Sequence, residues 1–287
     1  MEAFRKIQKI LKRQPVVEGA GVRLKRLFGS PELPLLDPFL LLDDFHSSNP
    51  DDYMAGFPMH PHRGIETITY MLHGEVAHRD SMGNHGIIQS GDVQWMTAGA
   101  GIIHEEMPKR SEGELWGFQL WANLPASHKM MAPRYQNIKA DKIPVLSTGS
   151  DVSIKVICGE VGGVRGPVQD IMIRPEYLDI TVKPETVFEH ATEEEHTVFA
   201  YVIEGSGIFE EGGQNPIPVG NLALFEKGRG IRVRTAAEPV RFLLISGQAI
   251  KESIAWSGPI VMNTRKELEV ALEEYRLGTF LKPKGLT

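Results

Sequence analysis

Four side chains that could bind a metal occur in two short pairs. His60 and His62 lie two residues apart, and His104 and Glu106 have the same spacing further along the chain. On an extended strand, side chains two residues apart point to the same face, so two facing strands could bring these four groups to one point. Neutral imidazole and carboxylate suit a divalent first-row metal. Because short histidine motifs also occur by chance among surface and core residues, the neighbouring elements must support this interpretation.

Those neighbouring elements are predicted to be strands joined by glycine turns. Residues 67–72 follow the first pair and are typical of a strand that ends at Gly74. Residues 91–96 and a turn containing Gly99 and Gly101 precede the second pair. This order of parts resembles the two short motifs of the cupin superfamily. The resemblance implies a small antiparallel β-barrel that holds a metal in its mouth.

The composition is that of a globular protein large enough for two domains. The chain has 287 residues, of which 41% are hydrophobic and 24% are charged. Its net charge of −6 gives no general attraction to nucleic acid or to an anionic membrane. No apolar run approaches the roughly 20 residues that cross a bilayer. A single cysteine, Cys158, excludes an intrachain disulfide and fits a reducing compartment, so we expect the cytoplasm, or also the nucleus in a eukaryote.

Local patterns predict the elements near the chain ends. Residues 1–13 alternate basic and apolar types and are interpreted as a short amphipathic helix or a frayed tail. Residues 35–45 form a compact apolar run, which predicts a strand buried on both faces. Asp43 and Asp44 are expected to end this strand or to cap a turn.

A helix is predicted near the C-terminus. Residues 264–267 have the pattern of a capping box. Leu268, Leu272 and Tyr275 form one apolar stripe, and Gly278 is expected to end the helix. We expect this helix to pack across one of the barrels.

An internal repeat predicts a second barrel. Residues 70–74 align with residues 201–205, and the turn glycines Gly91, Gly99 and Gly101 align with Gly220, Gly228 and Gly230. In this alignment His60, His62, His104 and Glu106 face Ala191, Glu193, Val233 and Thr235, with His190 and His196 nearby but out of register. The second copy is therefore expected to be degenerate and structural. The predicted domains are an N-terminal metal-binding barrel over residues 1–130, a crossover linker over 131–150, and a C-terminal barrel with the terminal helix over 151–287.

Longer segments make the resemblance more specific, because the chain looks like a pirin over nearly its whole length. The segments that carry this resemblance are residues 36–41, 57–64, 91–99, 104–108 and 258–264. The resemblance implies an all-β fold of two cupin (double-stranded β-helix, or jelly-roll) barrels face to face, with a short C-terminal helix. It also implies iron in the N-terminal barrel, bound by His60, His62, His104 and Glu106.

The resemblance also separates two candidate carboxylates. The general cupin motif takes its carboxylate from the position of Glu66, whereas pirins take it from that of Glu106. Glu66 therefore becomes a candidate for orienting a ligand histidine. Phe57, Trp95, Phe118 and Trp121 are candidates for an apolar pocket beside the metal, although aromatic residues are as often plain core.

Two functions are implied by the resemblance to pirins. One is a quercetin 2,3-dioxygenase, in which Fe(II), or alternatively Mn, Ni, Co, Cu or Zn, binds a flavonol and dioxygen while Glu106 acts as the base. The other is an iron-containing, redox-responsive cofactor that binds a Rel-type transcription factor. A small basic cluster of Arg229, Arg232 and Arg234 could serve such a protein partner, but a solvated strand face is the favoured interpretation. We expect the enzyme, acting as a monomer on a small aromatic substrate.

Overall fold

Strands dominate the secondary structure of the chain. The structure, a computed structural model, describes residues 4–30, 34–110 and 113–282. The strands are β1 (Ile7–Lys12), β2 (Gln14–Glu18), β3 (Val22–Phe28), β4 (Phe39–Ser47), β5 (Phe57–His62), β6 (Ile65–His73), β7 (Val76–Asp80), β8 (His85–Ile88), β9 (Val93–Thr97), β10 (Ile102–Pro108), β11 (Leu115–Asn123), β12 (Arg134–Ile138), β13 (Val145–Thr148), β14 (Val152–Cys158), β15 (Glu160–Val161), β16 (Val164–Arg165), β17 (Glu176–Val182), β18 (Val187–Ala191), β19 (His196–Gly207), β20 (Ile217–Pro218), β21 (Asn221–Phe225), β22 (Gly230–Arg234), β23 (Val240–Gln248), β24 (Ala255–Ser257) and β25 (Ile260–Met262).

The helical elements of the described residues are few. Three short 3₁₀ turns lie at Pro50–Asp52, Ala126–His128 and Ala140–Lys142. The α-helix α1 spans Arg265–Arg276. No helix among the described ranges is long and apolar enough to span a membrane.

The chain divides into two compact units, and each unit takes a piece from the other end of the chain. The first barrel combines Gln14–Ala140 with Ile250–Thr287, and the second combines Met1–Arg13 with Asp141–Ala249, within the described residues. The domain boundaries predicted from the sequence therefore differ from those of the structure. The linker predicted over residues 131–150 is also structured: it contains β12 and β13, which pair with β9 and β14 respectively.

The two barrels share one sheet order. The large sheet of the first barrel runs β12-β9-β6-β11-β4-β3-β2, and that of the second runs β1-β21-β19-β23-β17-β14-β13, with β20 added on β19. Each barrel also pairs a short strand with its return strand, β5 with β10 and β18 with β22. The repeat predicted from the glycines is thus confirmed. In the second barrel, apolar side chains that include Phe188, Phe209, Val233 and Phe242 fill the interior.

The N-terminal segment is a strand, so the predicted helix or tail is wrong for its described part. β1 pairs antiparallel with β21 at the edge of the second barrel's sheet. In the first barrel, β12 holds the corresponding edge position on β9. The apolar residue Leu11 is buried in this pairing, whereas a tail in water would leave it exposed. Residues 1–3 lie outside the described residues.

The predicted buried strand is present as β4, but its acids do not end it. Asp43 and Asp44 lie in the middle of β4 and are buried, at 4% and 1% exposure. Both remain within the strand because sheet pairing on its two sides, with β3 and β11, satisfies the backbone there. The side chain of Asp43 is neutralised by Arg26 on β3.

The C-terminal helix belongs to the first barrel. α1 has the predicted capping box at Thr264 and Glu267. Its buried residues are Leu268 and Ala271, whereas Leu272 is 41% exposed, so the buried face is narrower than the predicted stripe. Leu268 packs in a cluster with residues of β25, the strand that precedes the helix.

Candidate metal centre and its cavity

Three imidazoles converge on one point in the first barrel. β5 carries His60 and His62, and β10 carries His104 directly opposite His60. One ring nitrogen from each of the three histidines lies within 4.8 Å of the corresponding nitrogens of the other two. His62 and His104 are each 1% exposed, because β5 and β10 turn these side chains inward. The two facing strands inferred from the residue spacing are therefore present.

Backbone oxygens orient two of these rings. The Nδ1 atom of His60 lies 2.9 Å from the carbonyl oxygen of Pro58, and that of His62 lies 3.3 Å from the carbonyl oxygen of Pro259. A carbonyl only accepts, so Nδ1 carries the proton in each ring and Nε2 presents a lone pair. The two Nε2 atoms face each other at 3.0 Å. Two lone pairs repel at this distance unless a cation lies between them.

The third ring supports the same conclusion. The Nε2 atom of His104 is buried without a hydrogen-bond partner among the described residues. Buried polar atoms are nearly always satisfied, so an orphaned nitrogen facing two others indicates a missing ligand. Three neutral imidazoles fit a divalent first-row metal.

Glu106 lies on the inner side of β10, but its carboxylate is outside the three-histidine group. Its Oε1 atom lies 3.0 Å from the hydroxyl of Thr69 on β6. A bulge between His104 and Glu106 shifts the pairing of β10 with β5, so that Glu106 stands opposite Phe57. The structure therefore brings three of the four predicted ligands together and places the fourth beside them, bonded to Thr69.

Burial sets the protonation of this centre. Burial lowers the pKa of His60 below its ordinary value, and it lowers the pKa of His62 and His104 much further. These rings are therefore neutral at neutral pH, as metal binding requires. Burial also raises the pKa of Glu106 to about 7, although the hydrogen bond with Thr69 lowers it. A carboxyl group with this pKa can exchange a proton near neutral pH.

A cavity of about 550 Å³ opens onto His60 and His62. Its walls are mainly apolar and aromatic, as in sites that bind flat organic molecules. The C-terminal hairpin of β24 and β25 contributes residues to it. The aromatic side chains that line it are Phe45, Tyr53, Phe57, Trp121 and Trp256. The ring of Trp121 lies edge-on to that of His62, with centroids 5.1 Å apart.

Side chains alternate between the two faces of a strand, and this alternation decides which of the predicted pocket residues face the cavity. Thr69 pairs with Gln119 and Thr67 with Trp121, so the odd-numbered residues of β6 and β11 face the cavity. Phe118 has the opposite parity and lies on the other face of the sheet, as does Trp95, which pairs with Ile68. Phe57 and Trp121 line the cavity, whereas Trp95 and Phe118 are fully buried away from it.

Glu66 also lies on the face away from the cavity. Gly64 separates β5 from β6 with a φ of +76°, so the parity of the histidines does not continue into β6. The carboxylate of Glu66 accepts a hydrogen bond from Thr97 at 2.6 Å rather than contacting a histidine. Burial raises the pKa of this carboxyl group, while the bond from Thr97 lowers it. The expectation that Glu66 orients a ligand has no support in this geometry.

The second barrel shows what replaced the ligands. Strand pairing sets His190 opposite Ile231, as His62 stands opposite Ile102. His190 is therefore the counterpart of His62, and the register taken from the sequence alignment is displaced here. Its Nε2 atom lies 2.8 Å from a carboxylate oxygen of Glu176 instead of facing other imidazoles.

Comparisons with known proteins identify the family. A family model described as Pirin matches residues 21–122, and one described as Pirin C-terminal cupin domain matches residues 177–281. A pirin-like protein of Caulobacter vibrioides is 43% identical over 278 residues, which cover 96% of this chain and 99% of that protein. The chain belongs to the pirin family.

Solved structures of other proteins share the fold. A quercetin 2,3-dioxygenase from Acinetobacter baumannii has a TM-score of 0.88 and 33% identity, covering 97% of this chain and 99% of that chain. A bacterial pirin from Escherichia coli, solved in complex with nickel(II), has a TM-score of 0.67 and 20% identity, covering 84% and 98%. The second likeness, at this identity, concerns the fold alone.

Several residues of this pirin's cavity were not predicted from the sequence. Thr69 and Gln119 could have been found from strand parity, had the parity of β6 been known. Pro259 and Trp256 reach the cavity only because the C-terminal segment returns to the first barrel. No local sequence signal indicates that return.

Proposed function

We propose that this pirin is a metal-dependent dioxygenase that opens the central ring of flavonols such as quercetin. The observation that carries the proposal is the convergence of three neutral imidazoles at an aromatic-walled cavity that also contains Glu106. The likeness to a quercetin 2,3-dioxygenase of Acinetobacter baumannii supports the same reaction. We propose Fe(II) as the metal, with His60, His62 and His104 as its protein ligands.

The residues of the chain perform three tasks in this reaction. The aromatic walls bind the flat substrate and exclude water from the reacting ring. Glu106 takes the proton of the flavonol 3-hydroxyl, which its raised pKa of about 7 permits. Thr69 holds the carboxylate in place through its hydroxyl. A bound first-row metal supplies Lewis-acid and redox chemistry toward the substrate oxygen and dioxygen.

No specific observation among the described residues favours the alternative function, a redox-responsive protein-binding cofactor. Two of the arginines proposed for a partner surface are paired with acids. Arg229 lies 3.0 Å from a carboxylate oxygen of Glu194, and Arg232 lies 2.9 Å from one of Glu211. These pairs fit the interpretation of a solvated strand face.

The test is a metal analysis followed by an aerobic quercetin assay on the same sample. The double variant His60→Ala/His62→Ala should bind no metal and should leave the absorbance of quercetin unchanged. His190→Ala is the matched control, since it changes the corresponding position of the second barrel. We expect His190→Ala to keep one metal per chain. Full metal content in the double variant, or turnover no faster than with free metal, would contradict the proposal.

A further inference from the structure

A row of polar side chains crosses the inner face of the first barrel. Arg26 on β3 pairs with Asp43 on β4, Asp43 pairs with Gln119 on β11, and Gln119 pairs with Thr69 on β6. Directly paired residues on neighbouring strands point to the same face of a sheet. All four side chains accordingly line the cavity. In a mainly apolar wall, they form one continuous polar track.

The track leads away from the metal centre. Thr69 contacts Glu106, so its end of the row lies at the histidines. Neighbouring strands are about 4.8 Å apart, so Asp43, two strands further on, lies roughly 10 Å from Thr69. The 3-hydroxyl group and the outer-ring hydroxyl groups of a flavonol are closer together than this, and a hydrogen bond of about 2.8 Å at each end makes up the difference. A substrate whose 3-hydroxyl lies at Glu106 can therefore reach Asp43 with its outer ring.

The far end of the track carries a surplus of negative charge. Arg26 donates through Nε and Nη2 to the two oxygens of Asp43, at 2.8 and 2.7 Å. Its Nη1 atom lies 2.9 Å from a carboxylate oxygen of Glu18. One guanidinium thus stands between two carboxylates. Each oxygen of Asp43 uses one lone pair on Arg26 and has another with which to accept a hydrogen bond.

A carboxylate in this position has no clear structural purpose. Asp43 is 4% exposed, and buried ion pairs contribute little to stability compared with apolar residues of similar volume. Burial raises the pKa of Asp43 to about 6, against the effect of Arg26. The group is therefore ionised at neutral pH and accepts hydrogen bonds from neutral donors such as phenols.

We infer that Asp43, oriented by Arg26, is a specificity residue that accepts hydrogen bonds from hydroxyl groups on the substrate's outer ring. The substrate class is then planar aromatics that carry hydroxyl groups at both ends, rather than flavonols in general. The inference rests on the proposed function for the direction in which the substrate lies. Arg26 is a positioning residue in this account.

The experiment compares two ligands that differ only in the outer ring. Quercetin has two hydroxyl groups there, and galangin is the same flavonol without them. Binding to the metal-loaded protein is measured under argon by quenching of tryptophan fluorescence, since Trp121 and Trp256 line the cavity. Without dioxygen the ligands are not consumed. A hydrogen bond to a charged group corresponds to about tenfold or more in affinity, so the wild type should prefer quercetin by about that factor.

The variant Asp43→Asn should reduce this preference and leave galangin affinity within about twofold, because only the ligand with outer hydroxyls loses a charged acceptor. Equal weakening of both ligands would assign Asp43 a structural role and overturn the inference. Equal affinity of the wild type for both would overturn it without any variant. Bound quercetin that is not consumed when air is admitted would contradict the proposed function alone. If neither quercetin nor galangin bound, both the inference and the proposed function would be contradicted.

Discussion

The guanidinium of Arg63 joins β5, the strand of His60 and His62, to Phe280 near the end of the described chain. Its Nη2 atom donates to the carbonyl oxygen of Phe280 at 2.7 Å, and its central carbon lies 4.2 Å from the centre of the phenyl ring. It also donates to Ala100 and to Glu274, each at 2.7 Å. Arg63 directly follows His62, so the C-terminal segment fixes the backbone that positions the imidazole of His62.

Arg63→Met should therefore destabilise the first barrel. The side chain is 2% exposed, and its loss leaves the carbonyl oxygens of Ala100 and Phe280 without this donor, while the carboxylate of Glu274 keeps only its ion pair with Lys282. We expect a loss of about 3 kcal/mol in the free energy of unfolding, measured by urea denaturation. Arg276→Met is the control, because Arg276 is exposed and an exposed ion pair such as that with Glu273 on α1 contributes little to stability. Equal losses in the two variants would refute this role of Arg63.

Gly64→Ala should disturb the metal centre through a steric clash, and this effect should exceed that of backbone strain alone. A methyl group on Gly64 would lie 1.9 Å from the carbonyl oxygen of Val261, and the residue has a φ of +76°. Gly83 has a φ of +91° but open space around it, so Gly83→Ala measures the strain alone. We expect Gly64→Ala to lose metal, assayed by metal content after purification, while Gly83→Ala keeps it. Retention of full metal in both would show that the contact with Val261 can relax.

Lys129 gives a pH-dependent stability. Its ammonium group donates to Asn123 and to the carbonyl oxygens of Gly64 and Val261, and burial lowers its pKa to about 8 from 10.5. Between these values the unfolded chain holds a proton that the folded chain has released, so stability rises with pH. The stability difference between wild type and Lys129→Met should grow by about 2 kcal/mol from pH 8 to pH 10.

Urea denaturation at the two pH values measures this difference. Lys142→Met, at a lysine that is 72% exposed, should show no such change with pH. A constant gap between wild type and Lys129→Met would mean that Lys129 stays charged in the folded protein.

The variant Glu106→Gln tests whether Glu106 is the base of the reaction or only lies beside the metal. The amide keeps the shape of the side chain but cannot accept the substrate proton. A general base typically contributes about 10²–10⁴-fold in rate, so turnover per bound metal should fall by about a hundredfold or more. Glu105→Gln is the matched control, since Glu105 pairs with Arg79 on the outer side of β10. Unchanged turnover per metal in Glu106→Gln would move the base to another group, and complete loss of metal would make Glu106 a ligand.

The sequence predicted the convergence of the three histidines better than it predicted their surroundings. Ligand pairs at a spacing of two depend only on local strand geometry, so His60, His62 and His104 converge as expected. The parity of Glu66 depends on the turn at Gly64, whose conformation the sequence alone does not specify. Trp95 and Phe118 were expected at the pocket from their residue type alone, and strand pairing places both on the other face of the sheet.

The exchange of chain ends between the barrels could not be predicted from local patterns. β1 and β12 take the same edge position in different sheets, and the residues of β1 do not indicate which strand it pairs with. The helix α1 was predicted correctly from its capping box, but its place on the first barrel depends on packing between distant segments. The family resemblance supplied the fold class, and strand pairing supplied the register of His190.

The most direct test of the central claim is the gas balance of the reaction. Ring opening of a flavonol by dioxygen releases carbon monoxide, so the metal-loaded protein should release one molecule of carbon monoxide for each dioxygen consumed. Dioxygen uptake with an electrode and carbon monoxide binding to haemoglobin measure the two quantities in one sample. With the wild type we predict equal amounts of dioxygen consumed and carbon monoxide released. With His60→Ala/His62→Ala we predict neither dioxygen uptake nor carbon monoxide release. Loss of quercetin without carbon monoxide, or at the same rate in the double variant, would contradict the account.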